Sequence, residues 1–334
     1  MSKVLISILS DHIIPNYLYI KETEGMYDEM IFVTTEYAEK KGIGIHLENT
    51  LSLPPESVRR IKVSNENFAQ ISEELKNEKI DKDNEYCINQ TGGTKAMSIA
   101  LYNFFQDYDA DFVYIPIGKN EYFDFGDDMS HLINYRLSLK EYLSLYGMTF
   151  QSDDSLIFDE RYTNDVFNTL KHHRFNLKSI SNIFNAQHLP TPKEKRYWGG
   201  AWFEEYTYNR IRNQFLLPAE AIGMSVKIYR KNSLVNDNEI DVAFVKDNVL
   251  NVVECKVSMI GYGEEPKDTV EKYLYKLAAI SKDLGLHVNS YLFTLHQMYR
   301  FPMITLENIK KRTSILGIKG IYDGEQLSEE TLNL

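Results

Sequence analysis

Apolar positions in the first 120 residues fall in short runs, and these alternate with stretches of helical spacing. Lys3–Ser10 and Met30–Thr35 read as buried strands. Phe68, Ile71 and Leu75 recur at three- and four-residue intervals and predict a helix over 65–79. Glu85–Asn89 is a third strand, a helix follows from Lys95 to about Tyr108, and Asp111–Ile117 closes the set. Such alternation predicts a mostly parallel sheet with helices on both faces.

The pattern changes after Gln151–Ser155, a polar break. Val166, Phe167 and Leu170 are spaced for burial on a helix over 165–184, and Leu189–Pro192 reads as a linker. A second helix opens over Gly199–Ile211, with Trp202, Phe203 and Tyr206 on its apolar side and Glu204 and Glu205 beside them. Two apolar runs, Asn238–Val245 and Val249–Lys256, then flank the polar turn Lys246-Asp247-Asn248 and predict a β-hairpin. Folding about Asp247 brings Asp241 level with Val253 and hence beside Glu254. Side chains two apart on a strand share a face, so Glu254 and Lys256 point the same way. A further helix is predicted over 266–284, with Lys272, Tyr273 and Lys276 near its polar side.

At 334 residues the chain has room for two domains, and its 43% apolar and 25% charged content is that of a globular protein. No long apolar stretch or signal-peptide core occurs, so no membrane segment is expected. Cys87 and Cys255 stand alone, which fits reduced thiols in a cytoplasmic protein. The net charge of −11 is unevenly spread: residues 193–334 hold 19 basic and 19 acidic residues, and residues 1–192 carry the whole excess. That balance argues against indiscriminate coating of DNA and leaves cleavage open.

Two acids and a lysine at one end of an apolar hairpin need a partner, and a divalent cation is the usual one for paired carboxylates. The spacing also fits a surface hairpin in which Asp241 and Glu254 merely pair with Lys256. Val252 and Val253 favour burial, which makes two terminal acids unusual. The segment resembles the PD-(D/E)xK nuclease superfamily, with Asp241 as its Asp and Glu254-Cys255-Lys256 as its (D/E)-x-K. That resemblance implies a restriction-endonuclease-like α/β domain. It implies manganese or magnesium held by Asp241, Glu254 and the backbone carbonyl of Cys255, with Glu204 contributing directly or through water. Glu205 is the alternative to Glu204. Lys256 would position the attacking water, and Lys272 or Lys276 would meet substrate phosphate.

In the first half, Asn89-Gln-Thr-Gly-Gly-Thr-Lys95 joins a strand to a helix. Paired glycines admit a ligand close to the backbone, and Thr91, Thr94 and Lys95 add donors and charge. The same residues also fit a tight turn with Thr94 as helix cap. The spacing matches neither the Gly-x-x-x-x-Gly-Lys nucleotide loop nor Gly-x-Gly-x-x-Gly. With Ser10-Asp11 after the first strand, the loop resembles a CARF domain, the Rossmann-like sensor of CRISPR systems. Ser10, Asp11, Asn89, Thr91, Gly92, Gly93, Thr94 and Lys95 would then line a cyclic oligoadenylate pocket, with Asp11 on an adenine amine, a ribose hydroxyl or a helix end. A homodimer would close around the ligand.

The two halves together are similar to type III CRISPR ancillary nucleases. The resemblance implies a CARF-like sensor over 1–150, a helical connector over 151–192 (a small winged-helix piece is the alternative) and a nuclease domain over 193–334. It implies cleavage of DNA, RNA or both after cyclic tetra-adenylate binds. Two other readings share these residues: a ligand-gated regulator or scaffold with an inactive nuclease-like domain, and a ring nuclease that degrades its own ligand. His172-His173 lack a third metal ligand in sequence and read as solvated, as does Lys310-Lys-Arg312. Gly261-Tyr-Gly263 reads as a loop able to admit a strand or a flipped base.

Overall fold

The structure is a computed structural model that describes residues 1–54, 58–153, 160–176, 197–230, 233, 238–258 and 266–334, with backbone alone for 266–268. Contacts divide the chain into two units, Met1–Thr149 and Phe150–Leu334.

The first unit is built on a seven-stranded sheet of order β3-β2-β1-β4-β5-β6-β7. Strands β1 (Lys3–Ile8), β2 (Glu29–Thr34), β3 (Arg59–Lys62), β4 (Glu85–Asn89) and β5 (Asp109–Tyr114) run parallel. Antiparallel β6 (Glu121–Asp124) and β7 (Met129–Leu132) extend one edge. Val4, Ile6 and Ile8 of β1 and Ile88 of β4 are buried against Met97, Leu101 and Phe105 of the helix Lys95–Phe105. The parallel sheet with intervening helices is the one the apolar runs predict. Helices Ile14–Glu22, Glu36–Lys41 and Ile43–Thr50, strand β3 and the β6–β7 hairpin are additions to that expectation.

The second unit carries a six-stranded sheet of order β13-β12-β11-β10-β9-β8, whose edge strands are β8 (Met148–Gln151) and β13 (Gly320–Tyr322). Its centre is β9 (Ile222–Arg230), β10 (Asn238–Lys246) and β11 (Val249–Lys256), antiparallel in turn, with β12 (Val288–Thr294) parallel to β11. The helix Trp202–Gln214 buries Trp202, Phe203 and Tyr206 with Val242, Phe244, Val253 and Cys255. Burying an aromatic side chain of this kind stabilises by roughly 1.5–3 kcal/mol. Helix Glu160–His172, inside the expected connector, joins the same core through Val166, Phe167 and Leu170, and Phe167 stacks on Tyr206 at 4.1 Å. His172 and His173 are exposed, edge to face with each other. The rest of the predicted 165–184 helix, the Leu189–Pro192 linker and Gly261–Gly263 lie outside or largely outside the described residues. Among the described residues no helix is long and apolar enough to cross a membrane.

Candidate functional site

The hairpin turn differs by one residue from the sequence expectation. Asp247 and Asn248 both have positive φ, 52° and 63°, so the turn has two central residues and Lys246 pairs with Val249. Val242, not Asp241, therefore faces Val253, and one step further along that register sets Asp241 directly across from Glu254. On the other side, Ile240 pairs with Val226 and Val242 with Met224, which brackets Ser225 opposite Asp241. Ser225, Asp241 and Glu254 thus form one row across three strands.

Lysine and acid meet at the end of that row. Lys256 Nζ lies 3.1 Å from Asp241 Oδ2, 2.8 Å from Glu254 Oε1 and 2.9 Å from the Cys255 carbonyl oxygen. The Cys255 amide donates to Asp241 Oδ2 at 2.7 Å, which locks that carboxylate against the strand. Glu254 is almost fully buried, and Lys276 of the helix Pro266–Lys282 also donates to it, at 3.0 and 3.3 Å. The Lys256 ammonium lies over the Tyr273 ring at 5.3 Å. Of the two lysines expected at substrate, Lys276 is therefore committed to a carboxylate of the site.

Glu204 and Glu205 part company at the start of their helix. Ser225 Oγ donates to Glu204 Oε2 at 3.2 Å, whereas Glu205 is buried and accepts from the Tyr197 hydroxyl at 2.9 Å. Burial, reinforced by the nearby Asp241 carboxylate, pushes the Glu204 carboxyl up to about 7. Burial and the Glu254 carboxylate also raise Asp241, against the opposing pull of Lys256. For Lys256, burial alone would lower the ammonium; Asp241 and Glu254 outweigh it and hold the amine well above its ordinary value. Burial raises the Cys255 thiol, which approaches Thr207 Oγ1 at 3.5 Å and keeps to the core.

Sequence reasoning did not find Ser225. It sits inside β9 with φ of 47°, a left-handed backbone that a serine rarely adopts, and no residue pattern announces it.

In the first unit, the loop after β4 packs tightly on the end of β1. A Cβ on Gly92 would lie 2.0 Å from the Ile8 carbonyl oxygen, and one on Gly93, at φ 77°, 2.5 Å from Ile8 Cγ2. Several expected ligand residues brace this loop. Asn89 is buried, donates to Asn16 Oδ1 at 3.2 Å and accepts from the Thr91 amide at 3.0 Å. Thr91 Oγ1 accepts from the Ile115 amide at 2.8 Å. Thr94 caps the helix, accepting from the Met97 amide at 3.3 Å and donating to the Asn65 carbonyl at 2.6 Å. Ser10 Oγ accepts from the His12 amide at 3.3 Å. Asp11 neither caps a helix nor stands free: Lys41 Nζ and the Tyr37 hydroxyl donate to it at 2.9 and 2.7 Å. Lys95 is exposed at the mouth of the loop.

Residues 4–142 match the family described as the Card1 CARF domain, and residues 192–320 match the Card1-like endonuclease domain. No curated protein matches the chain. Among solved structures, the chain is similar to Can2 from Sulfobacillus thermosulfidooxidans in complex with cyclic tetra-adenylate, at 19% identity and a TM-score of 0.72 over 97% of each chain. It is similar in the same degree to protein VC1899 from Vibrio cholerae, at 16% identity and a TM-score of 0.72 over 97% of this chain and 95% of that one. A type III CRISPR defence DNA nuclease activated by cyclic oligoadenylate aligns at 18% identity and a TM-score of 0.55, over 87% of this chain and 45% of that one. The chain therefore belongs to the Card1-type CARF nucleases, with a Card1 CARF domain followed by a Card1-like endonuclease domain.

Proposed function

We propose that this protein is a cyclic oligoadenylate-activated, divalent-metal-dependent endonuclease of type III CRISPR defence, working as a cytoplasmic homodimer. The observation that carries the chemistry is the Lys256 ammonium seated among Asp241 Oδ2, Glu254 Oε1 and the Cys255 carbonyl. Three oxygens converge there on a positive charge, and they are hard donors suited to magnesium or manganese. Asp241, Glu254 and the Cys255 carbonyl would hold the ion, with Glu204 next to them in the PD-(D/E)xK manner. A bound cation supplies charge stabilisation at the scissile phosphate and a more acidic water.

The chain's own groups then divide the work. Asp241 is fixed by the Cys255 amide, so it enters the site already oriented. Lys256 leaves its carboxylates for the attacking water or a phosphate oxygen, carrying a full positive charge. Lys276 guards Glu254 from the adjacent helix. The Glu204 carboxyl, raised to about 7 by burial and Asp241 in the metal-free protein, would be drawn toward its charged form by a cation bound beside it.

The ligand class rests on the CARF match and on the Can2 structure, which contains cyclic tetra-adenylate. Gly92 and Gly93 let the loop pack directly on Ile8 at the end of β1, with Lys95 exposed beside it. The test is to incubate the purified protein with manganese and either plasmid or single-stranded DNA and RNA, with and without cyclic oligoadenylates. Cleavage that requires both metal and cyclic tetra-adenylate is the expected result. Cleavage of the cyclic ligand alone would replace this reading with a ring nuclease.

A further inference from the structure

The three oxygens that receive the Lys256 ammonium are the same three proposed to hold the metal, so amine and metal compete for one place. Once the amine yields those oxygens, it needs another partner to stay at the site. One is already in reach: Lys256 Nζ lies 5.3 Å from the centroid of the Tyr273 ring, within cation–π range.

Tyr273 stands on the helix Pro266–Lys282, whose Val270, Leu274 and Leu277 are buried, so an anchored element carries the ring. Lys276, one turn further on, reaches Glu254 from the same helix. Only 23% of the Lys256 side chain is exposed, and a ring face attracts an ammonium more strongly away from water. The ring also discriminates between the two cations. Magnesium and manganese take hard oxygen ligands, whereas the face of a ring draws an ammonium electrostatically and supplies no ligand atom. In the metal-free protein three oxygens hold the amine and the ring adds little. With those oxygens given up, the ring becomes its main remaining contact.

We propose that Tyr273 is a positioning residue that retains the Lys256 ammonium at the site when it yields its three oxygens to a divalent cation. The inference rests on the metal-dependent reading above and adds the group that lets amine and metal share one site.

The test is a double-mutant cycle, read by calorimetric titration of manganese into the full-length protein without nucleic acid, with thermal melts as a check on folding. Tyr273→Leu should weaken manganese binding about three- to tenfold, because the displaced ammonium has lost its ring. Tyr273→Phe, which keeps the ring, should stay within about twofold of the parent. With Lys256→Met in place there is no ammonium to retain, so adding Tyr273→Leu should change manganese binding by less than about twofold. A Tyr273→Leu effect of equal size with and without the lysine would overturn the proposal, placing the effect in packing. Parent-like manganese binding by Tyr273→Leu would overturn it too, as would equal losses in Tyr273→Phe and Tyr273→Leu. If Tyr273→Leu does not fold, Tyr273→Gln takes its place in the cycle, with the same outcomes. A failed cycle leaves the metal reading standing; absence of manganese binding by the parent protein would remove that reading itself.

Discussion

Lys256 and Asp241 stand 15 residues apart in sequence and 3.1 Å apart in space, and the Asp241 oxygen that receives the ammonium also receives the Cys255 amide. One carboxylate oxygen thus joins the two strands of the hairpin and the amine that the proposed chemistry needs. Removing the amine should leave the hairpin standing, since the amide bond remains. Lys256→Ala is expected to lower cleavage by about a hundred- to a thousandfold, the scale for losing one charge-stabilising donor. Affinity for cyclic tetra-adenylate should not change, because the ligand loop belongs to the other unit. Parallel cleavage and ligand titrations check both; loss of ligand binding would mean that the two activities are assigned to the wrong halves.

Glu204 gives the metal-free protein a pH signature. Its carboxyl rises from the ordinary 4.5 to about 7 on folding. Between those values the unfolded chain releases a proton that the folded chain keeps. Stability should therefore fall as pH rises from 4.5 and level off above about 7. Glu204→Gln should flatten this slope, and Asp241, raised in the same direction, should preserve part of it. Melting temperatures of both proteins on either side of the window make the comparison. A slope unchanged in Glu204→Gln would refute the assignment.

The parts of this molecule that could be read from its residues are those where one signal dominates. β1, β4 and the β10–β11 hairpin are apolar runs bounded by turn residues, and the aromatic stripe predicts the helix that carries Glu204, while the choice of Glu204 itself came from the family resemblance. β3 escaped because only Ile61 of its four residues is buried, and β6–β7 because none of its positions is. The Ile14–Glu22 helix buries seven of nine residues and so has no polar face to betray its period. The hairpin register was misjudged by one residue because Asn and Asp can share a two-residue left-handed turn, which the composition of a three-residue polar segment does not reveal. Lys276 was visible as a cation, but its bond to Glu254 depends on how two separate elements pack.

Lys276 competes with any cation for Glu254, since its ammonium already occupies both carboxylate oxygens. Its side chain is about half exposed, so the pair is a modest one. Lys276→Met is expected to tighten manganese binding about two- to fivefold in the absence of nucleic acid. Calorimetric titration with manganese reads this directly. Weaker metal binding in the variant would show that Lys276 helps to build the site instead of guarding it.

Gly92 is where the Asn89–Lys95 loop, proposed to meet the ligand, tolerates no side chain at all. A Cβ there would meet the backbone oxygen of Ile8 at 2.0 Å, and a β-strand carbonyl cannot turn aside as a flexible side chain can. Gly92→Ala should cost about 2–3 kcal/mol, at the upper end of ordinary point substitutions, and should abolish activation by cyclic tetra-adenylate. Urea unfolding and ligand-dependent cleavage are the measurements. A stable variant that still responds to ligand would mean that the loop is looser than its packing indicates.

Ser225 combines two effects that a pair of substitutions can separate. Its left-handed backbone, φ 47°, carries a cost of roughly 1–2 kcal/mol that glycine would not bear. Its hydroxyl holds Glu204 at 3.2 Å beside the two hairpin carboxylates. Ser225→Ala keeps the strain and loses the bond; Ser225→Gly loses both. The glycine variant should therefore be more stable than the alanine variant by about 1 kcal/mol, while both cut poorly and to a similar extent. That dissociation of stability from cleavage is what a residue held in a strained conformation for the sake of its neighbour predicts. If the glycine variant were no more stable than alanine, the strain would not be real; if it cleaved as well as the parent, the hydroxyl would have no part in placing Glu204.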